Sequence, residues 1–178
     1  IEVVNLKAIL AGAWVLESYL KRAEDGSVAF PMGEQPKGMI MYTPDGYMSV
    51  QIMDSERPLF ASDNLHEKTA AELSLAAASY FAYSGLYEVE TEPAANDLAE
   101  QSFSGLITHH MQTSLFPNWV GCSLLRRLHL QGDRLELSTC QASSFRGKQM
   151  TTHLVWRKCS AVKQGAEAAD QQFRLIAA

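Results

Sequence analysis

The 178-residue chain has only three cysteines, and none stands in a CxxC pair. Cys122, Cys140 and Cys159 are too few and too scattered for a disulfide framework or a thiolate metal site, and a reducing, cytoplasmic setting fits them best. HxH and HExxH patterns are missing, and His109 and His110, adjacent on a strand, point to opposite faces, so no metal is expected. The absence of a glycine-rich phosphate loop and of GxSxG removes nucleotide binding and nucleophile-elbow hydrolysis, and no cofactor is expected. Apolar runs are too short to cross a bilayer, and a charged-then-apolar leader pattern is lacking, although a start at Ile1 leaves room for a removed upstream segment. With a net charge of −5 and basic residues scattered rather than striped, nucleic acid is not an expected partner either.

What the chain does have is a 47% hydrophobic content and long stretches of period-two alternation, enough for one domain with a real core. Strands are expected over 11–22, 39–42, 47–53, 81–90, 100–113, 121–131, 133–140 and 150–158, separated by turn residues. Thr43-Pro44-Asp45-Gly46 reads as a hairpin turn that sets Tyr42 opposite Tyr47, with Met39, Met41, Met48, Val50 and Ile52 on one face. One helix is expected over 66–81, between the third and fourth strands, capped by Asp63 or Asn64 and carrying a modest apolar stripe suited to a lid or plug. The reading is mainly β: a single antiparallel up-and-down barrel of about eight strands, the number that just admits one small ligand. That barrel domain spans 1–158; the tail 159–178 has too little apolar surface to fold alone, forms a short helix at 167–175, and is the candidate for packing on a second copy in a homodimer.

Two basic side chains fall on apolar strand faces. His109 alternates with Phe103, Ile107 and Met111, and Arg126 with Cys122, Leu124, Leu128 and Leu130. A buried guanidinium requires a counter-charge, a hydrogen-bonded network or a polar ligand, so Arg126 either pairs with Glu17, Glu88 or Glu136 or faces a pocket. His109 is a candidate proton carrier, or a core histidine bonded to backbone; His110 takes its place if the register slips by one. Arg57 is expected to pair within the acidic run Asp54–Glu56, and Cys122 to pack as a small hydrophobe.

Gly12-Ala13-Trp14 resembles the GxW opening of lipocalin-type barrels. More specific are Pro36-x-Gly38, Tyr42-Thr43-Pro44-Asp45-Gly46-Tyr47-Met48-Ser49, Arg57-Pro58, Phe81-Ala82-Tyr83-Ser84-Gly85-x-Tyr87, Thr108-His109-His110, Pro117-Asn118-Trp119-Val120-Gly121 and Leu154-Val155-Trp156. Together they are similar to the lipocalin-like domain family of bacteria and fungi. The resemblance implies a calycin-type barrel around a small-molecule cavity, with Arg157 as the basic residue packed across the GxW tryptophan. Fungal relatives tend to be encoded beside natural-product biosynthetic enzymes, where small barrels without redox cofactors serve as cyclases, isomerases or dehydratases.

These readings combine into one expectation. A hydrophobic secondary-metabolite intermediate would bind inside the barrel, where His109 moves a proton and Arg126 stabilises an oxyanion. Trp14, Met41, Met48, Tyr83, Tyr87, Trp119 and Trp156 would shape the substrate. The alternative is a non-catalytic binding protein for a small lipophilic ligand, which needs the same cavity and no proton transfer. A third possibility is a barrel filled by its own side chains.

Overall fold

The computed structural model describes residues 5–91 and 102–160. Ten strands form one antiparallel sheet: β1 (Gly12–Ala23), β2 (Val28–Ala29), β3 (Lys37–Tyr42), β4 (Tyr47–Met53), β5 (Tyr80–Thr91), β6 (Ser102–Ser114), β7 (Ser123–Gln131), β8 (Arg134–Thr139), β9 (Ser143–Phe145) and β10 (Lys148–Lys158). The order β1-β3-β4-β5-β6-β7-β8-β10 closes on itself because β10 also pairs with β1, making an eight-stranded barrel to which β2 and β9 are short additions. Closure removes the free edges that an open sheet of this length would expose. The expected helix at 167–175 and the first two residues of the strand expected over 100–113 lie outside the described residues.

One end of the barrel is shut by a helix that strand periodicity did not suggest. Helix α1 (Leu6–Leu10) is capped by Asn5 and buries Leu6 and Leu10 in the core. Its last carbonyls would otherwise lack partners. Trp14 Nε1 donates to Leu10 O at 2.9 Å and Lys158 Nζ to Ile9 O at 2.6 Å. The Lys158 ammonium also lies 5.2 Å from the centre of the Trp14 ring, so Lys158, not Arg157, is the cation across the GxW tryptophan. With Trp156 pointing in, alternation turns Arg157 outward to Glu17 and Asp133.

Two local irregularities decide which residues face inward. The β3–β4 loop is one residue shorter than the turn residues suggest: Thr43 N donates to Tyr47 O, and Gly46, at φ +100°, completes the turn. Tyr42 therefore pairs with Met48 rather than Tyr47, and β3 is flipped relative to β4. Ile40 and Tyr42 are buried, while Met39 and Met41 stand on the outer surface; Met48, Val50 and Ile52 stay inside as expected. In β1 the register shifts between Leu16 and Ser18, a bulge at Glu17 that swaps the inward set from Trp14 and Leu16 to Tyr19, Lys21 and Ala23.

Helix α2 (Ala70–Ala78) is shorter than the expected 66–81, because its start is set by a capping box between Thr69 and Glu72 rather than by Asp63 or Asn64. None of its side chains is buried, so it is not the packed lid or plug that its stripe suggested. Arg57 braces it, donating to Ala76 O and Ser79 Oγ and lying over the Tyr80 ring instead of pairing in the acidic run. Cys122 precedes β7, is exposed, and donates to Asn118 O rather than packing in the core.

Gly85 in β5 is required by the neighbouring strand: a Cβ there would lie 1.9 Å from His110 O. Gly85→Ala should therefore force β5 and β6 apart where their register shifts between Ser84 and Gly85, and lower the unfolding free energy by roughly 1–3 kcal/mol, read from urea denaturation midpoints. An unchanged midpoint would contradict this packing.

Candidate functional site

β6 and β7 run in regular register through the centre of the barrel, with Ile107 opposite Arg126 and His109 opposite Leu124. Their alternation puts both His109 and Arg126 inside, at 0% and 6% exposure. His110 points outward, bonding Ser123 Oγ and lying 3.5 Å from Glu88.

His109 is held between two phenols. Tyr42 Oη is 3.0 Å from Nε2 and Tyr83 Oη 2.8 Å from Nδ1. Tyr42 Oη has no second hydrogen-bond partner among the described residues, so its bond to Nε2 is what keeps that buried hydroxyl satisfied. On the other side of the ring, Tyr83 Oη also accepts from the Arg126 guanidinium, so the phenol links the imidazole to the cation. Burial, followed by the charges of Arg126 and His110, pushes His109 down to about 3, so it is neutral near pH 7. Burial raises Tyr83, and the adjacent Arg126 guanidinium partly offsets the rise.

Among the described residues Arg126 has no counter-charge. The three acids that might have paired with it are engaged elsewhere: Glu17 with Arg157, Glu88 with His110 and Glu136 with Arg134. Among the described residues Arg126 Nη1 is buried with no hydrogen-bond partner, and so is Trp156 Nε1. Orphaned buried donors of this kind are uncommon and costly, more so on a cation.

Arg126 lies on the boundary between two spaces. A cavity of about 510 Å³ occupies the open half of the barrel, lined by Tyr19, Lys21, Ile52, Phe81, Trp119, Leu124–Arg126, Thr139–Ser143, Thr152 and Leu154. Beneath it, a slot of about 10 Å³ is bordered by Tyr83, His109, Trp156 and apolar side chains, and shares Ile52, Phe81, Arg126 and Leu154 with the cavity. That volume is close to the least that holds one water-sized group. Both walls therefore present Arg126 to whatever enters.

The sequence-derived residues are thus spread along the barrel axis. Trp119 lines the cavity and packs edge-on against Phe81 and Tyr83. Tyr83, His109 and Trp156 border only the slot. Trp14, Met48 and Tyr87 are buried core residues at the closed end, where Tyr87 Oη donates to Thr43 O at 2.8 Å. Met41 is outside the barrel. Tyr19, Lys21, Thr139, Cys140 and Thr152 were not anticipated; an inward-facing Tyr19 and Lys21 are legible only once the Glu17 bulge is known.

The profile of a family described as lipocalin-like domain matches residues 11–159. The chain is also similar to the 4'-hydroxy-3'-methoxypropiophenone carrier protein ppsC of Aspergillus oryzae, 32% identical over 111 residues that cover 62% of this chain and 96% of the relative. Among the described residues, no group of three or more His, Cys, Asp or Glu is placed to hold a metal ion, and no helix is long and apolar enough to cross a membrane.

A pH dependence follows from the clamped imidazole. Its folded-state value near 3 lies below the ordinary 6.5, so its contribution is fully present above pH 6.5 and is lost as pH falls towards 3. At about 1.4 kcal/mol per unit, the whole effect is on the order of 5 kcal/mol. His109→Gln, which keeps a donor and an acceptor between the phenols, should show a shallower loss of unfolding free energy between pH 6.5 and 4 than the parent. Parallel pH profiles for the two proteins would show that His109 does not carry this dependence.

Proposed function

Because the chain belongs to the lipocalin-like domain family, we propose that its barrel binds a small, largely hydrophobic molecule in the open-ended cavity, with a ligand oxygen seated against Arg126. The observation that carries this reading is the orphaned Arg126 Nη1 at the junction of cavity and slot. Phe81, Trp119, Leu124 and Leu154 supply apolar wall, and Thr139, Thr152 and Gln141 supply polar points along it, the usual make-up of a small-molecule site. The relative named as a carrier of an aromatic ketone supports binding without turnover. Three free thiols are compatible with the cytoplasmic setting, and such a ligand would suit natural-product biosynthesis.

A second reading, a cofactor-independent cyclase, isomerase or dehydratase, is favoured by one specific arrangement. The Tyr42–His109–Tyr83 chain ends beside Arg126, so Tyr83 would offer its proton, and Arg126 its charge, to a developing enolate or phenolate oxygen. His109 would then position Tyr83 rather than meet the substrate, since both ring nitrogens are already engaged.

Incubation with 4'-hydroxy-3'-methoxypropiophenone separates these readings. Binding is followed by tryptophan fluorescence, and the recovered ligand is compared with the starting material by chromatography. Saturable binding with unchanged ligand is expected, weakened at least tenfold in Leu154→Trp, whose indole would fill the cavity while circular dichroism stays unchanged. An altered product whose formation is lost in Tyr83→Phe would establish the catalytic reading instead, and absence of saturable binding would contradict both.

A further inference from the structure

Among the described residues the cavity lining holds two cations, Lys21 and Arg126, and no aspartate or glutamate. Lys21 reaches the interior because of the Glu17 bulge, and its Nζ bonds a neutral partner, Thr152 Oγ1, at 3.0 Å. Asp25, close to Lys21 in the chain, is engaged by Lys148 and Ser27. Neither cation forms a salt bridge among the described residues. We propose that the cavity is built for an organic anion, a molecule with an apolar body and a carboxylate or an ionised enol or phenol, whose charged oxygen meets Arg126. This rests on the ligand-binding reading above and names the ligand class.

The physical argument is one of charge balance. Two like charges in one part-buried chamber repel, and burial together with Arg126 lowers the proton affinity of Lys21. A neutral lipophile would strip water from Arg126 and give no charge in return, an unfavourable exchange. An anion reverses the sign: the planar guanidinium offers Nη1 as a charge-assisted donor, and the Tyr83 hydroxyl lies beside it. The two cations are also arranged in depth. Arg126 borders the slot, whereas Lys21 lies towards the open end of β1, 5.3 Å from the Phe145 ring centre, where its charge draws an anion inward. The apolar body would then lie against Phe81, Trp119 and Leu154.

A matched pair of probes tests this: 2-naphthoic acid and its methyl ester, titrated calorimetrically at pH 7 into the parent protein, Arg126→Met and Lys21→Met. The acid should bind the parent at least thirtyfold more tightly than the ester. That preference should fall below threefold in Arg126→Met, and Lys21→Met should weaken the acid severalfold more than the ester. If Arg126→Met does not fold, the parent and Lys21→Met titrations still decide the matter. Equal affinity of acid and ester for the parent would overturn the anion proposal and leave lipophile binding standing; binding of neither would overturn both.

Discussion

A guanidinium inside a barrel wall has to be satisfied, and among the described residues this fold satisfies Arg126 only in part. Arg126 stands opposite Ile107 in the most regular part of the sheet, so it cannot swing outward without breaking the register of β6 and β7. The acids within reach along the chain are drawn to other partners on the outer surface. What remains on the inside is a cation with one unpartnered nitrogen, and the rest of the interior is arranged around it.

That arrangement divides the barrel. Below Arg126 the interior is solid: the Tyr42–His109–Tyr83 chain fills the middle, and Trp14, Tyr87 and Leu10 close the base against α1. Above it lies the cavity. Both imidazole nitrogens of the polar chain are hydrogen bonded, which makes a rigid floor rather than a second pocket. A ligand would thus meet a fixed surface of donors at the floor and apolar wall at the sides, and the site needs little rearrangement to be filled.

The inward direction of His109 and Arg126 was legible in the sequence because β6 and β7 keep strict alternation through both residues. Alternation says in or out, but nothing about height along the barrel axis. Trp14 and Tyr87 read as wall residues like Trp119, yet α1 seals their end; strand periodicity carries no sign of a five-residue helix whose carbonyls are capped by Trp14 and Lys158. Elsewhere single residues overturned whole faces. A loop one residue shorter at Pro44–Gly46 moved Met41 outside and Tyr42 in, and the bulge at Glu17 brought Lys21 into the cavity. The eight strands and the family resemblance survived these slips, since neither depends on which face a strand presents.

The central claim is that Arg126 is the seat of a ligand oxygen. The most direct measurement is a crystal structure of the protein grown with 2-naphthoic acid. The account predicts a carboxylate oxygen about 2.7–3.2 Å from Arg126 Nη1, with the naphthalene ring against Trp119 and Leu154. A ring in the cavity with its carboxylate turned towards the open end, and Nη1 still without a partner, would contradict it.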